Sequence, residues 1–484
     1  MDLMMLLDMA AEGFPDRPLI GTLTARELRD AARTGACLIA EAEATCVGYL
    51  AVNGPAFSVA LFAAAAAGVP FVPVNYRLGA DQLSSVLAHH PGAFVIADDR
   101  HTPLLGARHS PRSWLASTTS RTPTPLEPVA RDPAVVIYTS GTTSTPKGVL
   151  LRHGNLVSYV IGGVEFGSAQ PDETSLMCVP PYHIAAVSHV LTNVYAGRRL
   201  VVLDTFSAER WLELVRTERV THAMVVPTML ARLMEEPEHD VPTLRTLAYG
   251  GAAMPPRVIE QALRAWPHVG FVNAYGLTET SSTVSVLGPG EHREAAASRD
   301  PEVRARLHSA GRPIPGVEIE IRDEDGVPLP SGTPGRVWVR GAQVSGEYAG
   351  FASEKSGGWF DTRDLGRLDR EGFLFVMGRQ DDTIIRGAEN IAPAEIEDVL
   401  LRQPGVADAV VVGVPDEEWG QRIEAVVVPA RGTSLDGEEL RTEVRRLLRG
   451  SRTPDRIAVW TEIPRTATGK VLRQDVRTGL GRTS

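Results

Sequence analysis

Between Thr139 and Lys147 the chain reads Thr-Ser-Gly-Thr-Thr-Ser-Thr-Pro-Lys, a density of hydroxyl groups that suits an anion. Backbone N–H groups beside Gly141 can form a concavity for phosphate oxygens, and the hydroxyls of Thr139, Ser140, Thr142 and Thr143 can donate into it. Lys147 adds a mobile point charge, and Pro146 stiffens the exit. On composition alone a polar surface turn is an equally open reading. The Gly-x-x-x-x-Gly-Lys-Ser/Thr nucleotide loop is excluded, because it opens a helix, whereas Lys147 runs into Gly148 and a short apolar run to Leu151. The β-branched run Ala134–Tyr138 precedes the loop, so the pattern predicts strand, loop, strand.

Tyr138–Gly148 resembles the phosphate-loop signature of the adenylate-forming enzymes, which include acyl-CoA synthetases, peptide-synthetase adenylation domains and luciferases. One departure stands out: Ser144 occupies a position where the family usually has Gly. A side chain there is placed to crowd a triphosphate or limit loop movement.

Further segments follow in the family's order, and the resemblance runs from the first helix to Lys470. Tyr275-Gly276-Leu277-Thr278-Glu279 matches the adenine and metal motif. The match implies that Tyr275 stacks on the purine, Gly276 lets the backbone approach, Thr278 binds a phosphate oxygen and Glu279 holds Mg²⁺. The glycine pair Gly250-Gly251, with Ala252, falls at a strand end and is implied in nucleotide binding, Gly251 also in the acyl pocket. Trp359–Asp364 resembles the ribose segment, with Asp364 accepting from ribose hydroxyls and Arg379 reaching the same ligand. Asp381 occupies the hinge position about which a small carboxy-terminal domain turns between two catalytic poses. Arg386-Gly387-Ala388-Glu389 resembles the lining of the pantetheine tunnel of coenzyme A. Ala388 departs from a usual second glycine there. Thr466-Ala467-Thr468-Gly469-Lys470 resembles the catalytic-lysine loop, in which Lys470 bridges the substrate carboxylate and the α-phosphate. Pro180-Pro181-Tyr182-His183 corresponds to the edge of the acyl pocket, with Ala185 beyond it. Each segment alone has a plainer reading as a strand-end turn, a hairpin edge, a structural histidine or a solvated lysine.

The resemblance implies ATP, Mg²⁺ and coenzyme A as co-substrates. The expected reaction joins a carboxylic acid to coenzyme A through an acyl-adenylate, with release of diphosphate and then AMP. Ile184-Ala185-Ala186-Val187 carries no carboxylate to pair with a substrate amine, which favours a plain carboxylic acid over an α-amino acid. Three alternatives remain open. One is an acyl-AMP ligase loading a carrier-protein thiol, for which Arg441, Arg445, Arg446, Arg449 and Arg452 would supply a docking patch. The others are a ligase specialised to one half-reaction and a non-catalytic nucleotide- or acyl-CoA-binding protein.

The elements that must position these residues are of α/β type. A chain of 484 residues exceeds one ordinary core, so more than one domain is expected. Strands and helical patterns alternate through Val47–Val52, Ala80–Leu87, Phe94–Ala97, Leu200–Leu203, Phe206–Glu218 and Thr221–Val226, as in parallel sheets covered by helices. Ligands are expected beyond the carboxyl ends of such strands. From Gly316 the alternating Val317–Ile321 and Gly335–Val339 predict a hairpin-rich β region. The expected division is 1–380 for a large amino-terminal domain, with 316–380 its β-rich part, and 381–484 for a small mobile α+β domain. Thr102–Pro133, rich in Pro, Ser, Thr and Arg, reads as a long surface connection. Pro55–Val74 is nearly long enough and apolar enough to span a bilayer. Gly68 and Pro70 break it, however, and it is read as a buried helix, Ala56–Ala67, and a strand, Val69–Val74. The net charge of −10 argues against nucleic acid as a partner. Cys37, Cys46 and Cys178 lack metal spacing and suit a reducing cytoplasm. The amino terminus has no basic start of a secretory signal. A monomer or a homodimer fits equally.

Overall fold

In the computed structural model, the structure describes residues 1–101, 109–120, 131–139, 147–351, 353–386, 389–416, 419–448, 450–466 and 469–482. The expected α/β alternation folds into a nine-stranded sheet. Its order is Arg312–Pro313, Ser282–Leu287, Gly270–Leu277, Thr246–Gly250, His222–Val225, Thr174–Met177, Arg199–Val202, Pro18–Ile20 and Leu23–Thr24. The strands from Gly270–Leu277 through Pro18–Ile20 pair in parallel, so their carboxyl ends open on one side. Parallel strands need crossovers, and helices such as Ala208–Thr217, Pro227–Glu235 and Pro256–Ala265 supply them.

A second, five-stranded sheet carries the hydroxyl-rich segment. Its order is Ala93–Ala97, Cys46–Leu50, Phe71–Pro73, Val135–Thr139 and Lys147–Leu151. The last two strands are antiparallel, with Thr139 opposite Lys147. The predicted strand–loop–strand is therefore a hairpin. The apolar stretch resolves as read: Pro55–Ala67 is a helix buried almost throughout and ended by Gly68 at φ 68°, and Phe71–Pro73 is a strand. A helix apolar all round must lie inside the protein. No described helix is long and apolar enough to cross a membrane.

The β-rich region holds Val317–Arg322, Gly335–Gly341, Trp359–Leu368 and Leu374–Arg379 in antiparallel pairing. A smaller carboxy-terminal domain follows. Its Val406–Asp416, Gly420–Pro429 and Arg456–Val459 form a three-stranded sheet, flanked by helices Pro393–Leu401, Gly437–Leu447 and Arg473–Arg482. The large amino-terminal and smaller carboxy-terminal architecture is as expected. Among the described residues, no buried apolar cluster contains residues from both sides of 380.

One expectation needs correcting. Within Thr102–Pro133, Pro111–Thr119 is a helix, capped by the Ser110 hydroxyl accepting from Ser113 N at 3.2 Å. Its Trp114 is fully buried, 5.6 Å from the Phe94 ring centre in an edge-to-face pair. Turn-rich composition hid it, because Trp114 and the partly buried Leu115 anchor a helix whose other residues are mostly small or polar. Removing a buried Trp side chain costs about 3–5 kcal/mol. Trp114→Ala should therefore lower the urea midpoint of the large domain clearly, while a surface neighbour, Arg112→Ala, leaves it nearly unchanged.

Candidate active site

The site gathers at the carboxyl ends of the parallel strands. Gly250 closes Thr246–Gly250, Gly251 follows in the left-handed region at φ 83°, and Ala252 lies just beyond. Alongside, Gly270–Leu277 carries Tyr275 and Gly276 and passes into a short 3₁₀ turn, Thr278–Thr280. A Cβ on Gly276 would lie 1.8 Å from the Ser282 carbonyl oxygen, so the bulge at Tyr275/Gly276 tolerates no side chain. The turn is held from behind: buried Gln343 donates through Nε2 to Thr280 O at 3.0 Å and Thr283 O at 2.7 Å, and Ser281 Oγ donates to Gln343 O at 2.8 Å. Thr278 and Glu279 are thus presented on a fixed backbone.

Asp364 is the centre of the charge arrangement. Its residue is 5% exposed; Oδ2 accepts from the Tyr275 hydroxyl at 2.5 Å and Oδ1 pairs with Arg379 Nε at 2.8 Å. Burial raises its carboxyl, while Arg379 and the Tyr275 hydrogen bond act the other way. Burial likewise opposes the Arg379 charge, but Asp364, Tyr275 and nearby carboxylates outweigh it, so its net shift is upward. Each carboxylate oxygen retains a second lone pair for a ligand hydroxyl.

The carboxy-terminal domain brings Lys470 within electrostatic range of this cluster. The residue as a whole is exposed, but crowding around its ammonium lowers it and the Arg379 charge adds to that, while Asp382, Asp364 and Glu279 draw it back up. The loop is braced locally: Arg465 forms a bidentate pair with Asp408 at 2.8 Å and donates to Gly469 O at 2.6 Å. Gly469, at φ 79°, lies against Thr228 at the start of Pro227–Glu235. Arg257 Nη1 donates across to Val406 O at 3.0 Å.

Of the phosphate segment, Thr139 and Lys147 are described; Ser140, Gly141, Thr142, Thr143 and the departure Ser144 lie outside the described residues. Thr139 Oγ1 reaches Lys147 O at 3.5 Å. Lys147 Nζ lies 5.6 Å from the Tyr348 ring centre and 5.2 Å from that of Phe351. The Tyr348 hydroxyl donates to Glu279 Oε1 at 2.8 Å. Among the described residues no three His, Cys, Asp or Glu gather as a metal cage. A single available carboxylate fits Mg²⁺, which takes one or two protein oxygens and the rest from phosphates and water.

Tyr182 and His183 follow Thr174–Met177, and His183 caps the helix Ile184–Ala196 that carries Ala185. Their ring centres are 4.6 Å apart, and Tyr76 meets Tyr182 edge-on at 5.6 Å. Burial pushes the His183 imidazole down to about 4, and its Nε2 is buried without a hydrogen-bond partner among the described residues. The tunnel residues are not brought to the Lys470 cluster by any described contact: Arg386 pairs with Asp455 at 2.8 Å and lies over Trp419, and Glu389 is exposed. Gly387 and Ala388 lie outside the described residues. Asp381 is exposed in the 3₁₀ turn Gln380–Asp382, two residues after Arg379. Gln343 and Tyr348 escaped the sequence reading, since each is a single residue in irregular chain with no patterned neighbours.

Residues 7–349 match the AMP-binding enzyme family, and residues 395–470 match the AMP-binding enzyme C-terminal domain. The chain therefore belongs to the AMP-binding, adenylate-forming enzyme family. It is an enzyme of the acid–thiol ligase class, which works with ATP, Mg²⁺ and coenzyme A. Among its relatives, a fatty acid–[acyl-carrier-protein] ligase of Streptomyces coeruleorubidus is 32% identical, over 89% of this chain and 86% of the relative. A feruloyl-CoA synthase of an Amycolatopsis species is 34% identical, over 90% of this chain and 89% of the relative. The o-succinylbenzoate coenzyme A synthetase of Bacillus subtilis, solved with its acyl-adenylate intermediate, superposes with TM-score 0.83 at 28% identity, over 98% of this chain and 97% of that one. The same synthetase has been solved with ATP and a magnesium ion.

Burial has a consequence for stability. His183, His189 and His292 are each pushed down to about 4 by burial, whereas an unfolded imidazole titrates near 6.5. Above about pH 6.5 neither state is protonated and the full stability is present. As pH falls toward 4 the unfolded chain binds protons that the folded chain refuses, so stability declines. Urea midpoints measured from pH 7.5 to 4.5 should fall across that window, and His189→Gln should make the decline shallower.

Proposed function

We propose that this chain is an AMP-forming acyl-CoA synthetase for a plain carboxylic acid, working through an acyl-adenylate. The observation that carries the reading is the buried Asp364 held by Tyr275 and Arg379, with Lys470 of the carboxy-terminal domain within electrostatic range of it. In that arrangement the Lys470 ammonium feels the charges of the groups assigned here to the nucleotide. It would draw the acid's carboxylate and the α-phosphate together against their mutual repulsion. Asp364 and Arg379 would bind the ribose side, Tyr275 the purine, and Thr278, Thr139 and Lys147 the phosphates. Glu279 would hold Mg²⁺, which supplies charge neutralisation on the phosphate oxygens.

The carboxylate oxygen bonds to the α-phosphorus as diphosphate leaves. The thiol sulfur then bonds to the acyl carbon as AMP leaves, and the thiol gives up its proton. A free carboxylate is a poor electrophile, and the mixed anhydride removes that obstacle; the enzyme's part is positioning and electrostatics. Between the steps the domain 381–484 would turn about Asp381, taking Lys470 away and bringing Arg386–Glu389 to the site. The acid would enter beside Tyr182, His183 and Ala185. The unpartnered His183 Nε2 supports that position, because a buried polar atom gains from a ligand partner.

A carrier-protein thiol is the second reading, favoured by the Streptomyces coeruleorubidus relative. Against it, three of the arginines that would form a docking patch are paired within the domain: Arg441 with Glu438, Arg446 with Glu443 and Arg452 with Glu395. Arg449 lies outside the described residues.

A diphosphate-release screen over fatty, aryl and dicarboxylic acids, run with coenzyme A, with a carrier protein and with neither, tests the proposal. Acid-dependent diphosphate release and an acyl-CoA product are expected; release with product only on the carrier overturns the coenzyme A assignment. With the best acid, Lys470→Ala should slow adenylation by about 10²–10³-fold. Thioester formation from supplied acyl-AMP should be nearly spared, and equal loss in both half-reactions would exclude this role.

A further inference from the structure

Residues 342–351 form a strap between the two parts of the site that handle phosphate. On one side, Ser345 N and Gly346 N donate to Glu279 O at 2.8 and 3.2 Å. On the other, the strap pairs antiparallel with Lys147–Leu151. Leu150 N donates to Glu347 O at 2.9 Å, Ala349 N donates to Gly148 O at 2.8 Å, and Val149 bridges to Tyr348. Ser345 Oγ donates to Leu150 O, and Glu347 pairs with Arg152 at 2.9 Å. The backbone of Glu279 and the backbone of the phosphate hairpin are therefore tied to one short segment, and Tyr348 lies in its middle.

The side chain of Tyr348 repeats that link. Its hydroxyl donates to Glu279 Oε1, while its ring faces the Lys147 ammonium, which Phe351 flanks as well. A carboxylate on a flexible stem can present either oxygen in several directions. One committed oxygen removes most of that freedom and leaves Oε2 available: among the described residues Oε2 has no hydrogen-bond partner. Outer partners of this kind orient a metal's ligand and are worth about 10–100-fold in metal affinity when removed.

We propose that Tyr348 is a positioning residue for the metal–nucleotide complex: it fixes the Glu279 carboxylate with one oxygen free for a divalent cation, in register with Lys147 on the phosphate hairpin. The inference rests on the reading of Glu279 as the metal-holding carboxylate. It goes beyond that reading by assigning the orientation to a residue outside the family motifs identified above.

Tyr348→Phe is the test, because it keeps the ring over Lys147 and removes only the hydroxyl. ATP binding by the full chain is measured by calorimetry with Mn²⁺ present and again with EDTA, with no acid supplied, so the result does not depend on knowing the substrate. In the wild type, Mn²⁺ should tighten ATP binding. In Tyr348→Phe that enhancement should shrink by about tenfold or more, while affinity in EDTA stays at the wild-type value. In diphosphate release with an accepted acid, the variant should need more Mg²⁺ and recover its maximal rate at high Mg²⁺. Enhancement equal to wild type overturns the proposal. So does an equal loss with Mn²⁺ and with EDTA, which marks a merely structural effect. A wild type that binds ATP no better with Mn²⁺ overturns both this proposal and the metal reading of Glu279, which separates that failure from failure of Tyr348 alone.

Discussion

The burial of one carboxylate organises this molecule. Asp364 sits almost wholly out of water, and an isolated charge there would be costly. Its two partners come from different elements: Tyr275 from the carboxyl end of a parallel strand, and Arg379 from the final strand of the β-rich region. Satisfying Asp364 therefore locks the β-rich sheet onto the nine-stranded sheet at the point where ligands enter an α/β fold. The chain leaves Arg379 directly into the exposed turn at Asp381. Anchoring and proposed pivot are adjacent, so a rotation beyond Asp381 need not disturb the anchored strands.

The same economy governs the phosphate side. An antiparallel hairpin holds Thr139 and Lys147 at the two ends of a hydroxyl-rich loop, while a separate sheet delivers Thr278 and Glu279. The strand Lys147–Leu151 packs beside the turn Thr278–Thr280 without pairing to it. Gln343 braces the turn that carries Glu279, and the strap from Ser345 to Phe351 joins that turn to the hairpin. A site divided between two sheets needs such a connector, because catalysis by positioning fails when reacting groups drift by even about 1 Å.

Much of this was legible in the sequence. The β-branched run before the loop, the apolar stretch broken at Gly68 and the glycine-closed strand at Gly250 each has one dominant local cause, and each folds as its pattern predicts. Charged residues in the order Glu279, Asp364, Arg379, Lys470 come within electrostatic range of one another although nearly two hundred residues separate the first from the last. Other features have no local cause to read. Trp114 lies in chain that looks like a linker, and only tertiary burial makes it a helix anchor. Strand ends such as Met177, where apolar residues run on to Val179, are set by pairing rather than hydrophobicity. Tyr348 and Gln343 act through neighbours far away in sequence, so no spacing rule announces them.

The separation of the apolar clusters at residue 380 bears on how the enzyme responds to temperature. Heat-capacity changes in proteins come chiefly from exposing or burying apolar surface. The described contacts that reach across include the helix Pro393–Leu401 against the strand Leu374–Arg379, Arg257 to Val406 and Gly469 against Thr228. A turn of the carboxy-terminal domain, if it occurs as proposed, would open none of the described apolar clusters, so the balance between the proposed poses would carry a small heat-capacity term. In an enzyme built this way the ratio of poses would follow a nearly straight van't Hoff line, even while its overall stability follows the curved profile of any folded protein.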